Sequence, residues 1–133
     1  IPQKGTIFLS LKDADKPGIL EVAQLLLDLG FKLLATKVTA DYLCKQGLAV
    51  EEVKKVGHGR PDIVDAIINN EVQLIINTPS GKNPLKDEMI IRQSALKLNV
   101  PVVTTLSGAL ATAKAIKEYL KRKIEVKPIQ EFY

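Results

Sequence analysis

The chain has 133 residues, 46% of them hydrophobic, and carries 19 Lys and Arg against 15 Asp and Glu, a net charge of +4. That length predicts one domain, residues 1–133, and the apolar fraction is enough for a core, which excludes a disordered chain or a mini-protein that needs staples. The basic excess is scattered, and with three Phe, three Tyr and no Trp it lacks the clustered basic face and stacking aromatics of a polymeric nucleic-acid binder, while leaving room for a small anion.

In chain order, Thr6–Leu11 is an apolar run that reads as a buried strand. Asp13-Ala14-Asp15-Lys16 follows, with Pro17 in the first turn of a helix whose apolar face runs from Ile19 to Leu29 and which Gly30 closes. Phe31–Thr36 is the next strand. Thr36 and Thr39 flank a loop, and Ala40–Gln46 is a short helix stopped by Gly47. Val50–Val56 reads as an edge strand, Gly57–Pro61 as a loop, and Asp62–Asn69 as a helix. Val72–Asn77, with Leu74-Ile75-Ile76 at its centre, reads as a central strand, and Thr78–Pro84 as a long polar loop. Glu88–Leu98 is a helix and Val100–Thr104 a strand. Ser107 is the expected N-cap of a last helix running to Tyr119, with the basic run Lys121-Arg122-Lys123 just past its end and a mixed tail from Ile124.

Five strands alternating with five helices predict an α/β fold, a parallel sheet with helices on both faces. In such sheets ligands bind beyond the carboxyl ends of the strands. The informative segments are therefore Ser10–Lys16, Thr36–Thr39, Lys55–Arg60, Asn77–Gly81 and Thr104–Gly108.

Cys44 is alone, so no intramolecular disulfide forms, and with His58 the single histidine no Cys/His zinc site can be assembled. His58 lacks a Gly-x-Ser-x-Gly partner, and Gly81-Lys82 lacks the rest of a nucleoside-triphosphate P-loop. No apolar run approaches the ~20 residues of a membrane span. The N-terminus does not read as a signal peptide, so a cytoplasmic location is expected, and the missing initiator Met suggests a fragment of a larger chain or a processed one.

Hydroxyls, backbone N–H groups and a lysine at strand ends suit a phosphate, which makes Ser10, Lys16, Thr36 and Thr39 candidates. The alternative is that Thr36 and Thr39 only cap a helix while Lys16 points to water. Lys55 either touches a base or sugar or is a solvated neighbour of Lys54. Asn77 either ties down the next loop or reads a ligand edge, and Arg60 anchors its loop or an anion. Asp13, Asp15 and Asp62 sit at helix starts, where aspartate is usually a cap.

The segments Ser10-Leu-Lys-Asp-Ala-Asp-Lys16, Ala35-Thr36-Lys-Val-Thr39-Ala40, Lys55-Val-Gly-His-Gly-Arg60-Pro61 and Ile76-Asn77-Thr78-Pro-Ser80-Gly81, in this order, resemble the methylglyoxal-synthase-like (MGS-like) domain. Ile91-Arg92-Gln93-Ser94-Ala95 and Thr104-Thr105-Leu106-Ser107-Gly108 extend the resemblance to about Lys4–Ile129. Within that superfamily the sequence is most similar to the C-terminal allosteric domain of the carbamoyl-phosphate synthetase large subunit. The resemblance implies a three-layer α/β/α fold with a five-stranded parallel sheet in the order 3-2-1-4-5. It implies a regulatory domain with no catalytic residues, metal or cofactor, part of an ATP-dependent, glutamine-hydrolysing ligase that supplies pyrimidine and arginine biosynthesis.

The implied partners are a UMP or IMP effector, the synthetase domains of the parent large subunit, the glutaminase small subunit reached through them, and homo-oligomer contacts, with no nucleic acid polymer and no membrane. The implied phosphate site is Ser10, Lys16, Thr36 and Thr39, and the nucleoside side is Lys55 and Asn77. Val38 stands where the family commonly has glycine, and Pro79 where some relatives have a threonine that contacts the nucleotide. The enzyme alternative is methylglyoxal synthase, a lyase acting on dihydroxyacetone phosphate. Its Gly-Gly-Asp segment is replaced here by Gly59-Arg60-Pro61, with Asp62 one position late. The superfamily's inosine monophosphate cyclohydrolase is a third relative with less motif support.

Overall fold

A computed structural model describes residues 2–57, 59–79 and 86–131. Among these, five parallel strands form one sheet in the order β3-β2-β1-β4-β5, as the resemblance implied. The strands are β1 (Thr6–Ser10), β2 (Lys32–Ala35), β3 (Val50–Glu52), β4 (Leu74–Asn77) and β5 (Val102–Val103). The helices are α1 (Ile19–Asp28), α2 (Lys37–Lys45), α3 (Ile63–Ile68), α4 (Lys86–Lys97) and α5 (Leu106–Glu131), with a 3₁₀ turn at Asp13–Asp15. No helix of the described residues is long and apolar enough to cross a membrane.

The unbroken apolar runs of β1 and β4 have a direct cause. Both strands are covered on both faces, so successive side chains enter opposite cores. Ile7 and Leu9 of β1 pack with Leu74 and Ile76 of β4 against α1, α2 and α5, while Phe8 and Ile75 pack with Ile63, Ile67, Ile91 and Ala95 of α3 and α4. Ser10 and Asn77, register partners at the ends of β1 and β4, continue the alternation that carries Phe8 and Ile75. Gly30 ends α1 with φ +94°, a left-handed conformation open to glycine at little cost, and the backbone turns straight into β2.

Several boundaries differ from the sequence reading. The edge strand is confined to Val50–Glu52 because the backbone then turns away from β2: Lys54 makes only an isolated bridge to Asp62, and its carbonyl accepts the amide of Ile63 at 3.0 Å. The last helix runs to Glu131, so Lys121-Arg122-Lys123 lies within it rather than after it, and the tail from Ile124 is helical as far as Glu131. Its apolar spacing continues past Tyr119 through Leu120, which packs on the first core, and Arg122 pairs one turn back with Glu118 at 3.3 Å. Its N-cap is Thr105, whose hydroxyl accepts the Gly108 amide at 3.0 Å, and Ser107 sits in the first turn instead. His58 and the loop Ser80–Pro84 lie outside the described residues.

Candidate functional site

The carboxyl ends of β1, β2 and β4 open into a cavity of about 490 Å³, within the usual range of roughly 300–1,000 Å³ for small-molecule sites. Ser10 and Lys16, from the segment after β1, line it with Thr36 at the start of α2, Lys55 after β3 and Thr78 after β4. Its apolar wall is Leu11, Val56, Ile63 and Ile91. The carboxylates Asp13 and Glu88 line it as well.

Local chemistry explains each placement. Thr36 is extended, with φ −70° and ψ 162°, and stands at the N-cap of α2, where its carbonyl accepts the Ala40 amide at 2.8 Å. Its side chain makes no capping bond, so the first amides of this nine-residue helix carry no side-chain acceptor from their own cap. Thr39 lies inside the first turn of α2 and not in a flanking loop, because the helix begins at Lys37. Thr36 is 9% and Thr39 3% exposed. A helix N-terminus with its amides uncapped and a buried hydroxyl on the cavity wall is a ready anion site.

Lys16 does not point to water. Its side chain is 9% exposed, and its ammonium is held by the carboxylate of Asp13, itself 94% exposed. That ammonium keeps the Asp13 carboxyl below the ordinary aspartate range. Thr78 braces the floor: its amide donates to the Ser10 carbonyl at 3.0 Å and its hydroxyl accepts the Lys12 amide at 3.1 Å.

Ser10, Lys16, Thr36 and Lys55 therefore meet at one cavity. Thr39 and Asn77 do not line it. Asn77 is 1% exposed, and among the described residues neither its amide oxygen nor its amide nitrogen has a hydrogen-bond partner. An amide buried with both ends unmatched is costly, on the order of 1–3 kcal/mol for each group left unmade. Glu88, Ile91 and Ile63 were absent from the strand-end segments because they reach the cavity from α3 and α4; the apolar side of its helix hinted at Ile63, and the resemblance segment Ile91–Ala95 at Ile91.

Arg60 anchors its own loop through Asp65 at 2.6 Å. Asp62 is a helix cap: its carboxylate accepts the amide of Asp65 at 3.1 Å while the Asp65 carboxylate accepts the amide of Asp62 at 2.9 Å, a complete capping box. Burial alone would raise the Asp62 carboxyl. Backbone donors at Asp65, Gly57 and Val64 and the charge of Arg60 outweigh it and hold the group below its ordinary value.

A family model described as the MGS-like domain matches residues 18–104. The protein belongs to the MGS-like domain family. It is 44% identical over its whole length to the carbamoyl phosphate synthase large chain of Mesorhizobium japonicum, and 44% identical over 99% of its length to that of Nostoc sp.. It spans 11% and 12% of those two relatives. It is also 44% identical to the C-terminal section of the carbamoyl phosphate synthase large chain from Aquifex aeolicus, of which it spans 26%. Among solved structures, methylglyoxal synthase from Elizabethkingia anophelis superposes with a TM-score of 0.67 at 18% identity, covering 85% of this protein and 79% of that one. The crystal structure of ForH gives 0.62 at 16% identity, over 86% and 80%. At these identities the two structures establish the fold that MGS-like domains share and nothing of their chemistry.

Proposed function

We propose that this MGS-like protein is, as a single unit, the regulatory domain of a carbamoyl phosphate synthase large chain, and that it binds a nucleoside monophosphate at the strand-end cavity. The observation that carries this reading is the buried Lys16 ammonium on the wall that also holds Thr36, at the uncapped start of α2. The phosphate sits against Ser10, Lys16 and the first turn of α2, with the Thr39 hydroxyl behind it. The nucleoside lies along the apolar lining residues, with Lys55 at its edge. UMP and IMP are the effectors considered, and their action controls carbamoyl phosphate synthesis for pyrimidine and arginine pathways. Control of that kind requires the effector to bind two states of the parent enzyme with different affinity. The partners are then the synthetase domains of the large subunit and, through them, a glutaminase subunit.

A lyase reading needs a free carboxylate base near the substrate. The Asp62 carboxylate is already committed to backbone amides at Asp65 and Gly57, at 3.1 and 3.3 Å, which supports regulation over catalysis. Isothermal titration calorimetry with UMP, IMP and dihydroxyacetone phosphate tests the proposal. Saturable nucleotide binding is expected, weakened in Lys16→Ala by about 1.5–3 kcal/mol, the range for a hydrogen bond to a charged group. Unchanged affinity in that variant, or methylglyoxal formed from dihydroxyacetone phosphate, contradicts it.

A further inference from the structure

The partner that Lys16 holds is itself an anion, and it belongs to the cavity. Asp13 lines the same cavity, three residues before Lys16, at the start of the 3₁₀ turn. The two ends of the pair are unlike: the lysine side chain is 9% exposed, the aspartate 94%. A buried ammonium without a counter-ion is strongly disfavoured, so something must neutralise Lys16 when no ligand is present. The other carboxylate of the 3₁₀ turn, Asp15, is engaged with Lys12 at 3.7 Å.

We propose that Asp13 is a built-in competitor for the phosphate: its carboxylate occupies the Lys16 ammonium in the empty site, and the incoming phosphate displaces it into solvent. This rests on the nucleoside monophosphate reading above and sets how tightly that site binds. A carboxylate that is already almost fully exposed regains hydration at little cost when released, so exchange is easy. The exchange favours a phosphate dianion, with three terminal oxygens able to take α2 amides at the same time, over a ligand bearing a single carboxylate, which offers Lys16 no more than Asp13 does. The affinity measured for any anion at this cavity is therefore a difference between that anion and Asp13.

The test is a double-mutant cycle on the 133-residue protein, read by calorimetry with UMP. Asp13→Asn is expected to bind UMP roughly three- to fivefold more tightly than the unaltered protein, the scale of a partly exposed ion pair. In a Lys16→Ala background the same substitution should change affinity by less than about 1.5-fold, since nothing remains to compete for. Asp15→Asn controls for general charge removal beside the site and should also stay within about 1.5-fold. A second readout is thermal: Asp13→Asn should lower the melting temperature of the empty protein and enlarge the increase that saturating UMP produces. Equal or weaker UMP binding by Asp13→Asn, or an equal gain with Lys16 absent, overturns the competitor role and leaves the nucleotide site standing. Absence of UMP binding to the unaltered protein and to Asp13→Asn alike overturns both.

Discussion

Asp62 shows how one residue's environment settles between two chemistries. A carboxylate next to a sheet end is a candidate base until its lone pairs are counted, and here they are spent on the capping box and on the Gly57 amide. Replacing it with Ala removes the cap and should cost about 0.5–2 kcal/mol in urea unfolding. The group also sets a sign for acid sensitivity. Its folded value lies below its unfolded one, so the stability it contributes is present above the unfolded value and is lost as pH falls through the folded one. Urea midpoints of the unaltered protein should therefore fall on acidification below about pH 4. In Asp62→Asn, which keeps a capping oxygen but does not titrate, they should fall less steeply. Parallel acid limbs for the two proteins would refute the assignment.

At the scale of elements, what the sequence disclosed follows from where the information lies. The helix and strand order was legible because apolar spacing reports burial, and β1 and β4 are buried on both faces. Ends were less legible, since they depend on which of several neighbouring hydroxyls reaches a given amide. Thr105 and Ser107 both look like caps in the sequence, and only backbone geometry gives the Gly108 amide to Thr105. Thr105→Ala should accordingly destabilise the protein by about 1 kcal/mol. Ser107→Ala should change it by less than about 0.5 kcal/mol, as exposed substitutions away from such features do. Equal losses in chemical denaturation would return the cap to Ser107. Thr36 and Thr39 posed the same problem, and the placement of Thr39 within the helix turns a supposed loop into an N-terminal turn with its amides together.

Across the whole molecule, the parallel topology brings residues of four of the five strand-end segments to one cavity, and none from Thr104–Gly108 lines it, which is why those segments were readable as a group. Pattern alone could not show how deep each residue lies. Lys16 reads equally as a phosphate ligand or a lysine in water, and its 7% exposure decides against water; Asn77 reads as a loop anchor or a ligand reader, and its 1% exposure is visible only in the fold. Glu88 was not legible at all, since it reaches the cavity from a helix after a long loop. A second cleft, about 630 Å³, is bounded by Thr6 and Lys32 at the start of β1 and β2. There Glu51, Glu52, Asp62 and Glu71 outnumber Lys32 and Lys54, a balance that repels phosphate. The measurement that tests the central claim most directly is a titration of the ¹⁵N-labelled protein with UMP, followed by assigned amide resonances. The account predicts the largest shifts at Lys37, Val38 and Thr39, whose amides open α2, with further shifts at Ser10, Lys55 and Thr78. Shifts centred on the cleft with Glu51, Glu52 and Glu71, or none at saturating UMP, would contradict it.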